Sequence, residues 1–352
     1  MELKENSDVN LWENFIAKNQ QFNFLQSRFW GQILEKEKRD VKYWEIWKRK
    51  KLIGIFLMEK KSLARGFSYS ESLWGPVWLR SLIGEKVTDL TRELFKLVSK
   101  EEKSIFWRLS PPAGALISPK NSALEFYFEP DYKKIDSGLE PQDFFPTLAR
   151  TRPPKKTLII DLSQDEKEIL AQMKGKTRYN INLAKKKNLK IVWSRDRKKL
   201  KDFWRLNVVT SRRNGFKPHS FPHYLSILEV VLAGEKDKKN QAELILAYHN
   251  NKVISANLIL FFNETVYYLH GASSNESRNL MSTYLLHWET ISRAKKEGYL
   301  WYDFWGIDQN KWPGVTRFKE SFGGQKKDYP SLYELPFKNY YYKLYRIYKR
   351  LR

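Results

Sequence analysis

The stretch from Glu243 to His270 constrains the fold of this chain more than any other. Three runs, Glu243–His249, Val253–Phe262 and Thr265–His270, read as strands, rich in β-branched, aromatic and leucine residues. The turns between them are Asn250-Asn251 and Asn263-Glu264. Asparagine tolerates left-handed backbone, so the three runs form an antiparallel meander. Helices are expected before it, near Lys199–Arg213 and Pro222–Leu232. After it, a helix near Leu280–Lys296 ends at Gly298 and leads to a strand at Tyr299–Phe304. Further upstream, Leu158–Asp161 reads as a strand, and Ser163-x-x-Glu166 as a capping box opening a long helix toward Lys186.

The first half shows the same order of elements. A helix near Asn23–Lys36 precedes strands at Val41–Trp47, Leu52–Met58 and Phe67–Trp74. A helix at Glu85–Lys100 and a strand at Ile105–Leu109 follow. Helices, an antiparallel meander, a helix and a last strand are the order of an acetyltransferase-like (GNAT) domain. The expected fold is therefore α+β: two tandem GNAT-like domains, with mixed, mostly antiparallel sheets flanked by helices. Residues 1–153 form the first domain, joined by the C-terminal segment 335–352, and residues 154–334 form the second. Thr151-Arg152-Pro153-Pro154-Lys155-Lys156 is the linker, because consecutive prolines exclude helix and favour an extended crossing.

Charge narrows the choice of partner. The chain carries 64 Lys and Arg against 40 Asp and Glu, a formal net charge of +24. A field of that sign favours a polyanion: nucleic acid, an anionic membrane surface or a phosphorylated substrate. Cysteine is absent, which excludes disulfides, thiolate metal sites and a cysteine nucleophile. The segment Met1–Ser7 lacks the apolar core of a signal peptide, and no run approaches 18 apolar residues. A cytoplasmic protein is expected. In the C-terminal segment, Tyr341, Leu344, Tyr345, Tyr348 and Leu351 share one helical face. That face is expected to dock on the first domain. Its interleaved rings and cations also suit peripheral contact with an anionic membrane.

Several stretches can carry chemistry. Tyr302-Asp303-Phe304-Trp305-Gly306 is an aromatic strand end running into a glycine turn, and Arg317-Phe318-Lys319 lies shortly before Gly323-Gly324. This places Lys319 beside a backbone-exposed loop at a strand terminus, where a polar reaction centre can be held. The densest basic stretch runs from Lys174 through Lys176 to Asn188, with Lys174, Arg178, Asn182 and Lys185 in one helical stripe that can track phosphates. Arg213 ends a helix just before Gly215, where a guanidinium can pair bidentately with phosphate. Coenzyme A is disfavoured, because Met281 and Thr283 stand where a pyrophosphate loop needs glycines. No metal is expected. His219 and His223 are four apart but bracketed by Pro218 and Pro222, and His249, His270 and His287 are scattered among apolar neighbours.

Four of these elements resemble the Fem family of peptidyltransferases, in its compact form without a long inserted helical hairpin. They are Gln26-Ser27-Arg28-Phe29-Trp30; Lys176-x-Arg178-Tyr179-Asn180-Ile181-x-x-Ala184-x-Lys186; Arg212-Arg213-Asn214-Gly215; and Tyr302-Asp303-Phe304 with Arg317-Phe318-Lys319 and Gly323-Gly324. The resemblance implies transfer of an amino acid from aminoacyl-tRNA to an amine on the stem peptide of a peptidoglycan precursor, lipid II or a UDP-linked muropeptide. It implies a monomer that uses aminoacyl-tRNA as co-substrate and no other cofactor, cytoplasmic or peripheral at the inner face of the plasma membrane. Lys319, braced by Phe318, would stabilise the tetrahedral oxyanion. Arg213 would hold the precursor's diphosphate, with Arg317, Lys36 and Tyr268 also binding substrate. Lys174, Lys176, Arg178 and Lys185 would meet the tRNA phosphates.

Two positions depart from the family pattern. Ser110 stands where members commonly carry an acid, and a serine is a poor base; the family implies that the tRNA's terminal ribose or phosphate shuttles the proton instead. Gln32 replaces a substrate-binding lysine of some members, leaving Lys36 or Lys38 nearby. Two other readings stand beside transfer: a non-catalytic RNA- or membrane-binding scaffold, and an acyltransferase with a non-tRNA donor.

Overall fold

The computed structural model describes residues 1–6, 8–19, 24–63, 66–82, 85–109, 114–117, 124–127, 154–230, 240–329 and 333–350. Ser110 and the first three residues of the linker lie outside them. The chain forms two compact units, residues 1–153 with 329–352, and residues 154–328.

The first unit contains β1 (Glu2–Glu5), α1 (Val9–Asn19), α2 (Arg28–Lys36), β2 (Asp40–Lys48), β3 (Lys51–Ser62), β4 (Ser68–Ser72), β5 (Val77–Trp78), α3 (Glu85–Glu101), β6 (Phe106–Leu109) and a hairpin of β7 (Gly114–Ile117) and β8 (Leu124–Tyr127). The second contains β9 (Lys156–Asp161), α4 (Glu166–Gln172), α5 (Gly175–Lys185), β10 (Lys190–Ser194), α6 (Arg197–Asn214), α7 (Phe221–Glu229), β11 (Gln241–His249), β12 (Lys252–Phe262), β13 (Thr265–Ser273), α8 (Ser282–Lys296), β14 (Trp301–Asp303), α9 (Pro313–Glu320) and β15 (Gln325–Asp328). The chain then returns to the first unit as β16 (Tyr333–Pro336) and α10 (Asn339–Arg350). This return starts before residue 335, because β16 pairs antiparallel with β6.

The duplication is one of topology. Each unit holds a seven-stranded sheet, ordered β1-β2-β3-β4-β6-β16 with β5 on β3, and β10-β11-β12-β13-β14-β9-β15. Each sheet is antiparallel through its meander and then turns parallel, at β4 with β6 and at β13 with β14. A helix makes the crossover each time, α3 and α8. The asparagine turns fall as the sequence implies, with Asn250, Asn251 and Asn263 at positive φ. Strands β1, β10 and β15 were not foreseen; each is short, with β1 and β15 largely exposed and β10 only partly buried, so they lack the full patterning of the meander strands.

The expected long helix after Leu162 is broken in two. Asp165, not Ser163, is the cap: its carboxylate accepts from the Glu168 amide at 2.8 Å, and Glu168 answers from the Asp165 amide at 2.9 Å. The helix ends at Gln172, where Met173 turns extended and is buried. The Lys174 amide donates to the Ser321 carbonyl at 2.9 Å before α5 begins at Gly175, a weak helix former.

The C-terminal helix docks on the first unit through a face rotated from the expected one, sharing Tyr345 with it; Leu351 lies outside the described residues. Tyr342 and Tyr345 pack on Phe106 with ring centroids 5.3 and 5.0 Å away. Tyr341, Leu344 and Tyr348 are exposed instead. The difference arises because Tyr342 finds a buried partner, donating its hydroxyl to Glu334 at 2.9 Å.

Candidate active site at the end of β14

Helix α9 starts with Pro313 at its first position, where the missing N–H costs nothing. Asp308 shapes the preceding turn by accepting from the Asn310 and Lys311 amides at 3.0 and 2.9 Å. Three residues apart, Thr316 and Lys319 share one helical side and are both buried. Arg317, between them, is exposed.

Lys319 is only 6% exposed. Its Nζ donates to the carbonyls of Phe304 at 2.7 Å and Gly306 at 2.6 Å, with the Trp305 carbonyl further off at 3.4 Å. The loop presenting these carbonyls is held in unusual backbone. Trp305 has φ of 50° and Gly306 φ of 96°. A Cβ at Gly306 would also come within 2.9 Å of Pro154, so glycine is required there. Asp303, buried at the end of β14, fixes the turn by accepting from the Trp305 amide at 2.7 Å and from the Thr157 hydroxyl.

A shell of rings surrounds the ammonium. Tyr268 lies 5.2 Å from Nζ by its centroid. His287 of α8 packs against Tyr268, Phe304, Phe318 and Phe322 at 4.5 to 5.4 Å, and its Nδ1 meets the Tyr302 hydroxyl at 2.7 Å. Burial pulls Lys319 down from 10.5 to about 7, against the opposing pull of Asp303. Burial, then the Lys319 charge, pulls His287 down to about 3, so it is a neutral imidazole at physiological pH. Phe318, Lys319 and Tyr268 therefore meet in one place. Tyr302 and Asp303, in the strand end the sequence singled out, join them, with His287 of α8 and Thr157 of β9, which only the fold brings there.

An ammonium has three N–H bonds. Two are well used here and the third is loosely engaged, so it can turn toward an oxygen that gains negative charge. An apolar, ring-lined surround makes that interaction stronger than it would be in water.

The basic residues fall into two groups. Lys174, Lys176, Arg178 and Lys185 lie on or beside α5, whose start is tied to the end of α9: besides the Lys174 amide contact, the Thr177 and Ser321 hydroxyls meet at 2.8 Å. Lys174 and Lys176 are exposed. Arg178 instead turns Nη1 onto the last carbonyls of α4, those of Met173 and Leu170 (3.3 Å) among them, where a cation suits the helix end. Lys185 lies over the Trp288 ring at 5.7 Å. The second group is Arg213 with Arg278. Arg213 Nη1 donates to the Ser273 carbonyl at 3.1 Å and to Asn275 Oδ1, and Arg278 Nη2 reaches the same Asn275 oxygen at 3.4 Å. Among the described residues neither arginine is ion-paired. Partial burial and then the Arg278 charge lower the Arg213 pKa, a balance that an anion would relieve. Arg278 lies in the short 3-10 turn that leads into α8, whose first turn has no side-chain cap.

Lys36 is exposed at the end of α2 in the first unit. The Gln26 element proves structural there: its amide bridges the Leu57 backbone and the Leu73 carbonyl at 2.8 Å each.

The FemAB family model matches residues 9–230 and 231–350. The chain belongs to the FemAB family. It is 23% identical over 234 residues to a lipid II:glycine glycyltransferase of Staphylococcus haemolyticus (strain JCSC1435), covering 48% of this chain and 56% of that protein. It is 28% identical over 131 residues to the aminoacyltransferase FemA of Staphylococcus epidermidis, covering 36% of this chain and 31% of that protein. The chain thus spans about half the length, or less, of these FemAB relatives. Its fold superposes on the crystal structure of FemX with a TM-score of 0.75 at 17% identity, over 98% of this chain and 99% of that one. A tandem GNAT protein from the clavulanic acid pathway superposes with a TM-score of 0.54 at 11% identity, over 96% of this chain and 98% of that one. These likenesses establish two tandem GNAT-like units for this FemAB member.

Proposed function

We propose that this chain transfers an aminoacyl group from aminoacyl-tRNA to the stem-peptide amine of a peptidoglycan precursor, lipid II or its UDP-linked counterpart. The observation that carries this reading is Lys319, buried among rings with one N–H loosely held beside a strained loop. The FemAB relatives named as glycyl- and aminoacyltransferases support the reaction class. In the step, the acceptor amine attacks the ester carbonyl, a C–N bond forms, and the ribose oxygen leaves with the tRNA. The amine's proton passes to that leaving oxygen. Lys319 meets the carbonyl oxygen as it becomes an oxyanion, with Phe318 and Tyr268 keeping the surround dry. Arg213 with Arg278 takes the precursor's diphosphate. Arg317 and Lys36 serve as further contacts to substrate, and Lys174, Lys176, Arg178 and Lys185 meet the tRNA acceptor arm. The +24 charge suits both polyanions.

The test is transfer of labelled amino acid from a charged tRNA pool to UDP- or lipid-linked muropeptide, with and without ribonuclease. Ribonuclease-sensitive product is expected. Product that persists after ribonuclease would indicate another donor, and no product from folded, tRNA-binding protein would indicate a binding scaffold. Within that assay, Arg213→Ala should raise KM for the diphosphate-bearing acceptor by about 10- to 100-fold and leave kcat within a few-fold, as expected for losing a charge-assisted contact. An unchanged KM removes Arg213 from the acceptor site.

The exposed side of α10 fits a membrane-peripheral enzyme acting on a lipid-linked acceptor. Ile347 is 56% and Leu344 47% exposed, with Tyr340 and Tyr348 alongside and Lys343 and Arg346 interleaved. Co-sedimentation with phosphatidylglycerol vesicles should fall at least about 10-fold in a Leu344→Glu, Ile347→Glu double variant. Equal co-sedimentation would place any membrane contact elsewhere.

A further inference from the structure

Three of the chain's five histidines converge at a place the transfer reaction does not use. His219 lies just before α7, His223 in its first turn, and His270 on β13. One ligand nitrogen from each lies within 4.8 Å of the others, and among the described residues this is the one cluster of three or more metal-ligating side chains. The convergence has two local causes. Pro222 occupies the first turn of α7, the part of a helix that accepts proline, so the helix starts at Phe221 with His223 in its first turn, and the extended cap Ser220 brings His219 back beside it. Their rings lie 4.3 Å apart. The second cause is a bulge in β13. Ile259 pairs with Tyr268 and Leu258 with His270, leaving Leu269 without a partner in the ladder. Strict alternation would put Tyr268 and His270 on the same side. Instead Tyr268 packs on His287 of α8, while His270 packs on Tyr224 of α7 with centroids 5.1 Å apart.

We infer that His219, His223 and His270 bind a single zinc-class divalent ion, clamping the α6–α7 connection to β13. Three imidazoles and one open position form a donor set suited to Zn²⁺ or Co²⁺. With metal–nitrogen bonds of about 2.0–2.1 Å, tetrahedral ligands sit roughly 3.4 Å apart, so the rings need only close inward. His219 is exposed and His223 and His270 are partly buried, so the outer two can rotate onto the third. Tyr224 supports all three, with its buried ring 6.0, 5.6 and 5.1 Å from them and its hydroxyl accepting from Asn207 at 2.8 Å. Burial, then its histidine neighbours and Lys319, keeps His270 in the neutral form that ligates metal. With no cysteine in the chain, thiolates cannot compete for the ion.

The test uses the full-length, untagged, chelator-treated chain, titrated with Co²⁺ alone and followed by visible absorption, with Zn²⁺ as competitor. One Co²⁺ per chain is expected, with tetrahedral d–d bands and a dissociation constant below about 10 µM. His219→Ala, on an exposed residue that leaves the core intact, should weaken binding at least about 10-fold, and so should His270→Asn, checked for folding by circular dichroism. No binding at 100-fold higher metal (about 1 mM) would overturn the proposal. So would affinity unchanged in folded His270→Asn, which would reduce the site to a surface histidine pair. Because the readout is metal binding, it stands or falls separately from the transfer assay.

Discussion

Replacing Lys319 by Met should lower kcat for aminoacyl transfer by about 10²–10³-fold, the usual effect of removing one donor from an oxyanion site. Met keeps the aliphatic volume within the ring shell, so packing changes little. Folding is affected by a separate term. The substitution leaves the carbonyls of Phe304 and Gly306 without their donor, at about 1–3 kcal/mol for each that stays buried. Thermal unfolding must therefore accompany the kinetics. The two roles also separate by pH. Burial lowers Lys319 from 10.5 to about 7, so the ammonium dominates below pH 7 and declines as pH rises through it. The neutral amine still donates two hydrogen bonds to the loop but presents no positive charge. Accordingly, the ratio of unsubstituted to Lys319→Met kcat should be largest below pH 7 and shrink above it; the acceptor amine's own titration cancels in the ratio. A ratio independent of pH between 6 and 9 would mean that Lys319 only holds the loop.

Much of this site could be read from the chain, and what could not has a physical reason. The 302–324 segment announces itself because its glycines and aromatic strand end are local features, and Lys319 lies within the same few turns. His287 is silent in the sequence: it looks like one more residue on an apolar helix, and only the parallel pairing of β13 with β14 brings α8 over the strand end. The histidine convergence is silent for a further reason: the bulge at Leu269 that turns His270 toward α7 has no local signature, and Pro218 and Pro222 hide the approach of His219 to His223. The break between α4 and α5 depends on a bond to Ser321, nearly 150 residues later, which no local propensity encodes. The meander could be read because asparagine turns and strand patterning agree with each other over one contiguous stretch.

The largest stability effect should come from Arg108, a residue whose importance is not visible in sequence. It is fully buried on β6, with Nη1 donating to Glu71 at 3.1 Å and Nε and Nη2 to Glu334 at 3.0 and 2.6 Å. Burial works against its charge, but Glu334 and then Glu71 outweigh that, so its pKa is raised further. Its guanidinium also lies over Tyr69 at 4.4 Å, and Nη2 reaches the Tyr345 hydroxyl at 3.4 Å. Glu334 belongs to β16 and Tyr345 to α10, so this one side chain pins the C-terminal return to the sheet. Replacing Arg108 by Met leaves the buried Glu334 carboxylate, among the described residues, with only the Tyr342 hydroxyl, while Glu71 keeps Lys61, a loss of about 3–5 kcal/mol when a buried pair is broken from one side. For a unit of this size, that is on the order of 10 °C in Tm. Proteolysis should then cut first near residues 329–338, where the return strand loses its anchor. The companion Arg108→Met, Glu334→Gln variant, which removes the stranded charge, should recover part of the loss. If Arg108→Met unfolds within 2 °C of the unsubstituted chain, about 1 kcal/mol, the network is not what holds the C-terminal segment in place. The apolar seat of Tyr342 on Phe106 would then be the anchor instead.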